Sequence, residues 1–447
     1  MTRARRVLLA LMLVAVSAAV FAAGGCASPP AADTVTVLGS WTGAEQDGFM
    51  AMVSGFEQKY GIKVRYTGTR GADAVLATDV KDGNPPDLAV LATPGELDQY
   101  ARDGALLPID AALRSTGLTS EYGPGWRKLM QAPGHDGATH YFAIFVKAAL
   151  KSVIWYDPKT LPAPDARLLT SPDLTWAQLT GLTARLVGPG KSPWCMGLED
   201  SSSSGWPGTD WIEDILLHQS GPRVYDQWVN GTLPWMSEPV VRAWQTFGEI
   251  ANTPRQVHGG TQGELLTSYA AAGQPMFSDP PGCYLDHEGS FITGFYTQDT
   301  LGSLDSKEHP RPRTDFNFVP FPALAAAGQG TEEVAGDLLG LFNDTPAARE
   351  LIAYLTTPQA QEAWISRPGS GAISVNQRVP LGDYPDPVSQ ALAKDLTSAT
   401  DVRFDASDSM PQMMQNAFLN AVLEYLDAPS QLNAILRGLD QVRAAAY

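Results

Sequence analysis

Eleven tryptophans in 447 residues are many for this length, and several stand in loops instead of on periodic helix faces. Trp41 sits between Ser40 and Thr42, with Glu45 one turn further on. Trp206, Asp210 and Trp211 lie where the loop Ser201–Gly208 (SSSSGWPG) feeds a helix, and Tyr284 follows Pro281-Gly282-Cys283. Lys147 and Lys151 interrupt an otherwise apolar, β-prone stretch from Tyr141 to Tyr156. Aromatic rings are flat apolar plates; carboxylates, hydroxyls and ammonium groups make directed hydrogen bonds. Together they suit a cleft for a small molecule with apolar faces and polar rims, as sugars have. Polar groups left unpaired on burial cost about 1–3 kcal/mol each, so the acids and lysines would supply discrimination.

Other chemistries find less support. Six histidines form neither an HExxH motif nor an i, i+4 pair, so a zinc hydrolase is not indicated, and no metal site is expected. Asp286-His287-Glu288 reads as a solvated helix face. Gly188-Pro189-Gly190-Lys191-Ser192 superficially resembles a phosphate loop but lacks its spacing and the helix that should follow. A glycosidase needs two positioned carboxylates, and 48 acids supply many accidental pairs.

The elements that must position these residues alternate in type. Thr34–Leu38 is β-branched; Ala44–Tyr60 carries Phe49, Met52, Val53, Phe56 and Tyr60 at helical spacing, closed by Gly61. Ile62–Thr67 alternates as a strand, Ala72–Lys81 reads as a helix, and Asp87–Ala92 as a buried strand. Strand–helix repeats predict an α/β fold with a mostly parallel sheet, whose ligands sit where strands run into helices. The loop Gly39–Gly43 is the first such place. Further on, helices are predicted over Asp210–Gln219, with capping-box spacing from Asp210 to Glu213, and over Trp235–Ala251. Met276–Asp279 reads as a strand, with a helix start after Pro280-Pro281-Gly282, and Asp315–Phe321 as a strand. Thr345-Pro346 and Thr357-Pro358 each start a helix, and Gln412–Tyr425 and Ser430–Ala445 are helical near the end.

The chain opens on Arg3, Arg5 and Arg6, an apolar run from Val7 to Ala23, and Gly24-Gly25-Cys26, the layout of a secretory signal peptide. Ala23–Cys26 resembles a bacterial lipobox, which would lipidate Cys26; Ala23 departs from the usual leucine there. Residues 26–33 then make a small, polar, Pro-bearing tether. Removing residues 1–25 takes away three arginines and no acids, so the formal charge of −17 becomes −20. Such a surface repels phosphate backbones and anionic lipid, which leaves the lipid anchor as the tie to the membrane. Cys195 and Cys283 are an even pair in an exported chain and predict a disulfide, with two buried thiols as the competing reading.

Five segments in order resemble the solute-binding proteins of bacterial carbohydrate importers, the group that includes maltose-binding protein. They are Val35–Phe56, Pro85–Leu107, Ser201–Asp226 (with GWPGTDWIED), Met276–Phe291 (with PPGCYL) and Gly336–Asn376. The two motifs look most like actinobacterial α-glucoside-type binders. The resemblance implies a two-lobed periplasmic-binding-protein fold, each lobe a mostly parallel sheet flanked by helices, with several interlobe crossovers. Lobe 1 would hold 34–151 and 334–368, lobe 2 would hold 152–333 and 369–447, and the lobes would close on ligand by hinge bending. It also implies a monomer without cofactor that captures a di- or oligosaccharide or glycoside, such as an α-glucoside, with another polar solute (a glycerophosphodiester or polyol) as the alternative ligand. That solute would pass to an ABC permease on the outer face of the cytoplasmic membrane. A surface-anchored glycosidase is the alternative class. Implied ligand contacts are Ser40, Trp41, Thr42, Glu45, Thr93, Lys151, Trp206, Asp210, Trp211, Tyr284, Gly336, Ser370 and Asp408, with Lys147, Asp337 and Met410 beside them. Aromatics that maltose binders carry near Ala92–Gly95 are missing, which argues for a different or smaller ligand. A Cys195–Cys283 bridge would pin the Tyr284 loop beside the Trp206 loop.

Overall fold

The computed structural model describes residues 34–297, 310–399 and 401–447; the signal segment, Cys26 and the tether lie outside them. Its strands are β1 (Thr34–Gly39), β2 (Lys63–Gly68), β3 (Leu88–Leu91), β4 (Gln131–Pro133), β5 (Thr139–Tyr141) and β6 (Ala143–Leu150). They continue with β7 (Val153–Tyr156), β8 (Ser192–Cys195), β9 (Cys283–His287), β10 (Asn317–Pro320), β11 (Thr331–Leu341) and β12 (Asp401–Phe404). One sheet runs β12-β11-β3-β1-β2 with β6 also on β11, a second runs β10-β7-β9-β8, and β4 and β5 form a ribbon. β1 pairs in parallel with β2 and β3, as β11 does with β12, while β11 runs antiparallel to β3 and β6. In the second sheet β8 and β9 are parallel, and β7 is antiparallel to β9 and β10.

The helices pack on two apolar cores, one around the first sheet and one around the second, with Val153, Trp155, Cys195 and Cys283 of the second sheet continuous with the first core. Helix Ala44–Tyr60 turns Phe49, Met52, Val53 and Phe56 inward, all fully buried. Thr93, Thr345 and Thr357 each precede a proline, and each hydroxyl accepts from a backbone N–H three residues on, that of Glu96, Ala348 or Ala360. This satisfies one orphan donor of the first helical turn. Beside the second sheet, the helix Trp206–Ser220 is buried over almost its whole length, with Trp228, Trp235 and Trp244 in the core it shares.

The chain passes between the sheets at Lys151-Ser152, again before Thr331, and again at Asp405-Ala406. The last passage departs from the expected boundary at residue 368. β12 pairs with β11 over Thr331↔Asp401 to Val334↔Phe404, and Val388, Leu392 and Leu396 join the first core. Residues 369–404 therefore pack with the first lobe.

Four local expectations are corrected. Residues 274–277 form a 3₁₀ turn, and Cys283–His287 is a strand instead of a helix start. All five residues of that strand are buried, so it shows no alternation and its period cannot be read. Asp286-His287-Glu288 is consequently interior: His287 Nε2 lies 2.8 Å from Asp214 Oδ2, and Tyr296 donates to Asp286. Asp210 does not cap a helix, because its helix starts four residues earlier behind Gly205.

Cys195 and Cys283 are joined, both buried, at a sequence separation of 88 and with Cα atoms 5.3 Å apart. The bridge ties β8 to β9, the strands that lead into Trp206 and Phe291. In the chain-entropy picture a loop of that size stabilises by about 4–5 kcal/mol. A Cys195→Ser, Cys283→Ser double variant is expected to lose up to about that much in denaturant unfolding, and an unchanged midpoint would contradict it.

Candidate functional site: a cleft between two sheets

A cavity of about 1000 Å³ opens between the two lobes. One wall comes from the first sheet and its helices: Ser40 at the end of β1, Arg70 and Asp73, Val90, Thr93, Glu96 and Tyr100. The opposite wall holds Asp200, Ser201–Ser204, Trp206, Tyr269 and Phe291, with Gln412, Gln415, Asn416 and Asn420 from one helix. Lys147, Lys151, Gly336, Asp337, Asp405 and Asp408 line the part nearest the crossings. Gly336 passes so close to β6 that a Cβ would lie 2.8 Å from the Lys147 carbonyl oxygen.

Trp206 is half-buried and held by its neighbours. Its indole N–H donates to Asp200 Oδ2 (3.0 Å), and its ring meets Tyr269 and Phe291 edgewise at 4.9 and 5.8 Å. The Lys151 ammonium sits 4.7 Å from the same ring. Lys151 is 5% exposed; it bonds Asp210 Oδ2 at 2.6 Å and lies 3.1 Å from Asp405 Oδ2. Burial works against an ammonium there, but Asp210, Asp405 and Asp408 outweigh it and hold its pKa well above the ordinary lysine range. Asp405 is held below the ordinary range: burial opposes its charge, but Lys151 and the Asp408 N–H overcome that.

A second ionic group stands across the floor. Lys147 reaches Glu45 at 2.6 Å and Asp337 at 3.2 Å, and Arg70 reaches Glu45 at 2.8 Å. Glu96 differs, because burial and the nearby charge of Asp73 push its carboxyl up to about 7.

Of the residues expected at the site, Ser40, Thr93, Lys147, Lys151, Trp206, Gly336, Asp337 and Asp408 line the cavity. Others do not. Trp41 is buried in the first core against Phe49 and Trp364, and its indole donates to Asp337 Oδ2 at 2.7 Å. Trp211 packs edge-on to Trp194 and against His287, and Tyr284 is buried in the second core. Their ring faces rest on protein, so the expectation that they stack on ligand is corrected by their packing. Glu45 and Asp210 stand behind the lysines they pair with, Thr42 lies outside the lining, and Met410 is buried. Ser370 donates to the Ile365 carbonyl instead of facing the cavity.

Arg70, Asp200, Tyr269, Phe291 and the amides of the helix Gln412–Asp427 were not anticipated. A signal for the amides was present: Gln412, Asn416 and Asn420 recur every four residues, a polar stripe along one helix face.

Two layered lobes joined by three passages, with a polar and aromatic cleft between them, define a binding protein of the periplasmic class. The solved structure of the bacterial solute receptor AcbH, with its exclusive preference for β-D-galactopyranose, superposes with TM-score 0.78 at 16% identity. It spans 93% of this chain and 100% of the receptor. Maltose-bound MalE3 of T. maritima gives TM-score 0.69 at 15% identity over 93% and 100%. Residues 41–362 match the bacterial extracellular solute-binding protein family, and the chain belongs to it. It is 33% identical to the osmoprotective compounds-binding protein GgtB of Synechocystis sp., over 90% of this chain and 91% of GgtB. It is 30% identical to the alpha-glucosides-binding periplasmic protein AglE of Rhizobium meliloti, over 89% and 84%. The family is exported, and among the described residues no helix is long and apolar enough to cross a membrane.

Two outcomes follow for the ionic groups. Lys151→Met leaves Asp210 and Asp405 buried without their cation and should lower unfolding free energy by about 3–5 kcal/mol in urea titration. For Glu96, ionisation is penalised only in the folded state, so stability falls as pH rises from 4.5 through about 7. Glu96→Gln removes this, and its melting temperature should gain on wild type across that range; a gap independent of pH would be the contrary result.

Proposed function

We propose that this protein captures a small carbohydrate, a di- or oligosaccharide or glycoside, in the interlobe cleft and delivers it to the membrane subunits of an ABC importer. The observation that carries this is the convergence of Trp206, Tyr269 and Phe291 on a cavity that also presents acids, amides, serines and the cations Arg70, Lys147 and Lys151. Rings cover the apolar face of a sugar, while planar carboxylates and amides match its hydroxyl rim. The alpha-glucosides binder AglE, aligned along most of the chain, supports a glycosidic ligand, and GgtB, a binder of osmoprotective compounds, supports a small polar solute. The protein acts as a monomer without cofactor and performs no chemistry on its ligand. Its lipidated Cys26 tethers it to the outer face of the cytoplasmic membrane, where the closed form docks on the permease.

Closure brings the wall bearing Trp206 towards the wall bearing Thr93 and Glu96, burying the ligand between them. Preorganised rings reduce the ordering cost of binding. Fluorescence titration against a panel of α-glucosides, β-glycosides and polyol glycosides should give a saturable change with one class and no released reducing ends. Trp206→Ala should weaken that binding by about tenfold or more. Release of product, or unchanged affinity in the variant, would contradict the proposal.

A further inference from the structure

Beneath the cleft floor, where the three passages meet, Asp210, Glu333 and Asp405 turn carboxylates toward one another. They are 2%, 0% and 1% exposed, and one oxygen from each lies within 4.8 Å of the others. Lys151 answers only part of this charge, touching Oδ2 of Asp210 and Oδ2 of Asp405. Oδ1 of Asp210 and both oxygens of Glu333 have no hydrogen-bond partner among the described residues. Glu213 adds to the negative charge nearby, although its own oxygens accept the backbone N–H groups of Ala406 and Ser407. A fully buried carboxylate without a donor is among the least tolerated groups in a protein interior, and it calls for a counter-charge or a proton.

We propose that Asp210, Glu333 and Asp405 hold a divalent metal cation of the calcium class beside Lys151. The three ligating carboxylates carry more negative charge than the one ammonium offsets, and Glu213 adds to the excess, so a divalent ion is favoured over a monovalent one. The donors are all oxygen, without thiol or imidazole, which selects a hard cation over zinc or copper. Calcium accepts irregular geometry and completes its shell with water, whereas magnesium demands a near-regular octahedron. Asp405 and its neighbours Ser407 and Asp408 border the cleft, so the ion has a route in.

The donors also come from separate parts of the fold. Asp210 belongs to the long helix of the second lobe, Glu333 to the start of β11, and Asp405 to the passage after β12. An ion there would join the second lobe to two of the three passages and stabilise the folded state by mass action.

Equilibrium dialysis of the purified, chelator-stripped protein against radiolabelled calcium at neutral pH should show one tightly held equivalent. Millimolar calcium should raise the melting temperature by about 3 °C or more. Glu333→Gln should abolish both effects while keeping native circular dichroism; if that variant does not fold, Asp210→Asn takes its place, and the wild-type stoichiometry stands independently. No bound calcium, together with equal melting in calcium, magnesium and chelator, would overturn the proposal. Undiminished binding by a folded Glu333→Gln variant would do the same, by placing the ion elsewhere. So would a wild type that ignores calcium but gains stability on acidification, which would make a proton the neutralising species.

Discussion

The arrangement turns on one ammonium group kept charged in the interior. Lys151 is the first residue after β6 and its backbone N–H donates to the Glu333 carbonyl at 2.8 Å. Ser152 Oγ accepts from Glu333 N at 2.7 Å and donates to Asp214 at 2.5 Å, while Asp405 N donates to the Val334 carbonyl at 2.9 Å. The three passages thus lie side by side and hydrogen-bond to one another. The Lys151 side chain leaves this ladder to meet Asp210, Asp405 and the Trp206 ring. Removing a charge from water is expensive, and close partners offset that cost only in a fixed geometry. The same atom therefore fixes the junction between lobes and the aromatic surface above it.

The second lobe extends this use of buried polarity. Asp214 accepts from Ser152, lies 2.8 Å from His287 Nε2, and is 3.3 Å from His218 Nδ1, all with almost no exposure. Its carboxyl is held far below the ordinary range: burial opposes that, and His218 and His287 overcome it. A network like this has few alternative arrangements that keep Asp214 paired with both histidines and Ser152, and so it favours one packing of the long helix against the second sheet.

Local pattern made much of the fold legible. The helices Ala44–Tyr60 and Ala72–Lys81 match their predicted bounds, because each carries an amphipathic stripe with a marked start or stop. The strand Cys283–His287 was not legible, since burial on both faces erases its period. The site was legible in part. Trp41 and Trp206 both sit beside a Gly- or Ser-rich loop just before a helix, and nothing nearby separates them. What separates them is Asp337, 296 residues from Trp41, which takes its indole proton and draws the ring inward. Trp206 finds its acceptor six residues away in its own loop and stays at the surface of the cleft. The placement of β12 was likewise hidden, because it depends on pairing with a strand 70 residues earlier in the chain.

Gly205, at φ 108°, opens the helix that bears Trp206, and a Cβ there would lie 2.5 Å from the Leu419 carbonyl oxygen. Leu419 belongs to the helix that carries the amide stripe, so the two supports of one wall touch backbone to backbone at this point. Any larger residue would wedge them apart and displace aromatic and amide surfaces together. Diversification of ligand preference in descendants of this chain is therefore channelled: side chains on the wall can be exchanged freely, while the spacing of their two scaffolds stays frozen by a single hydrogen.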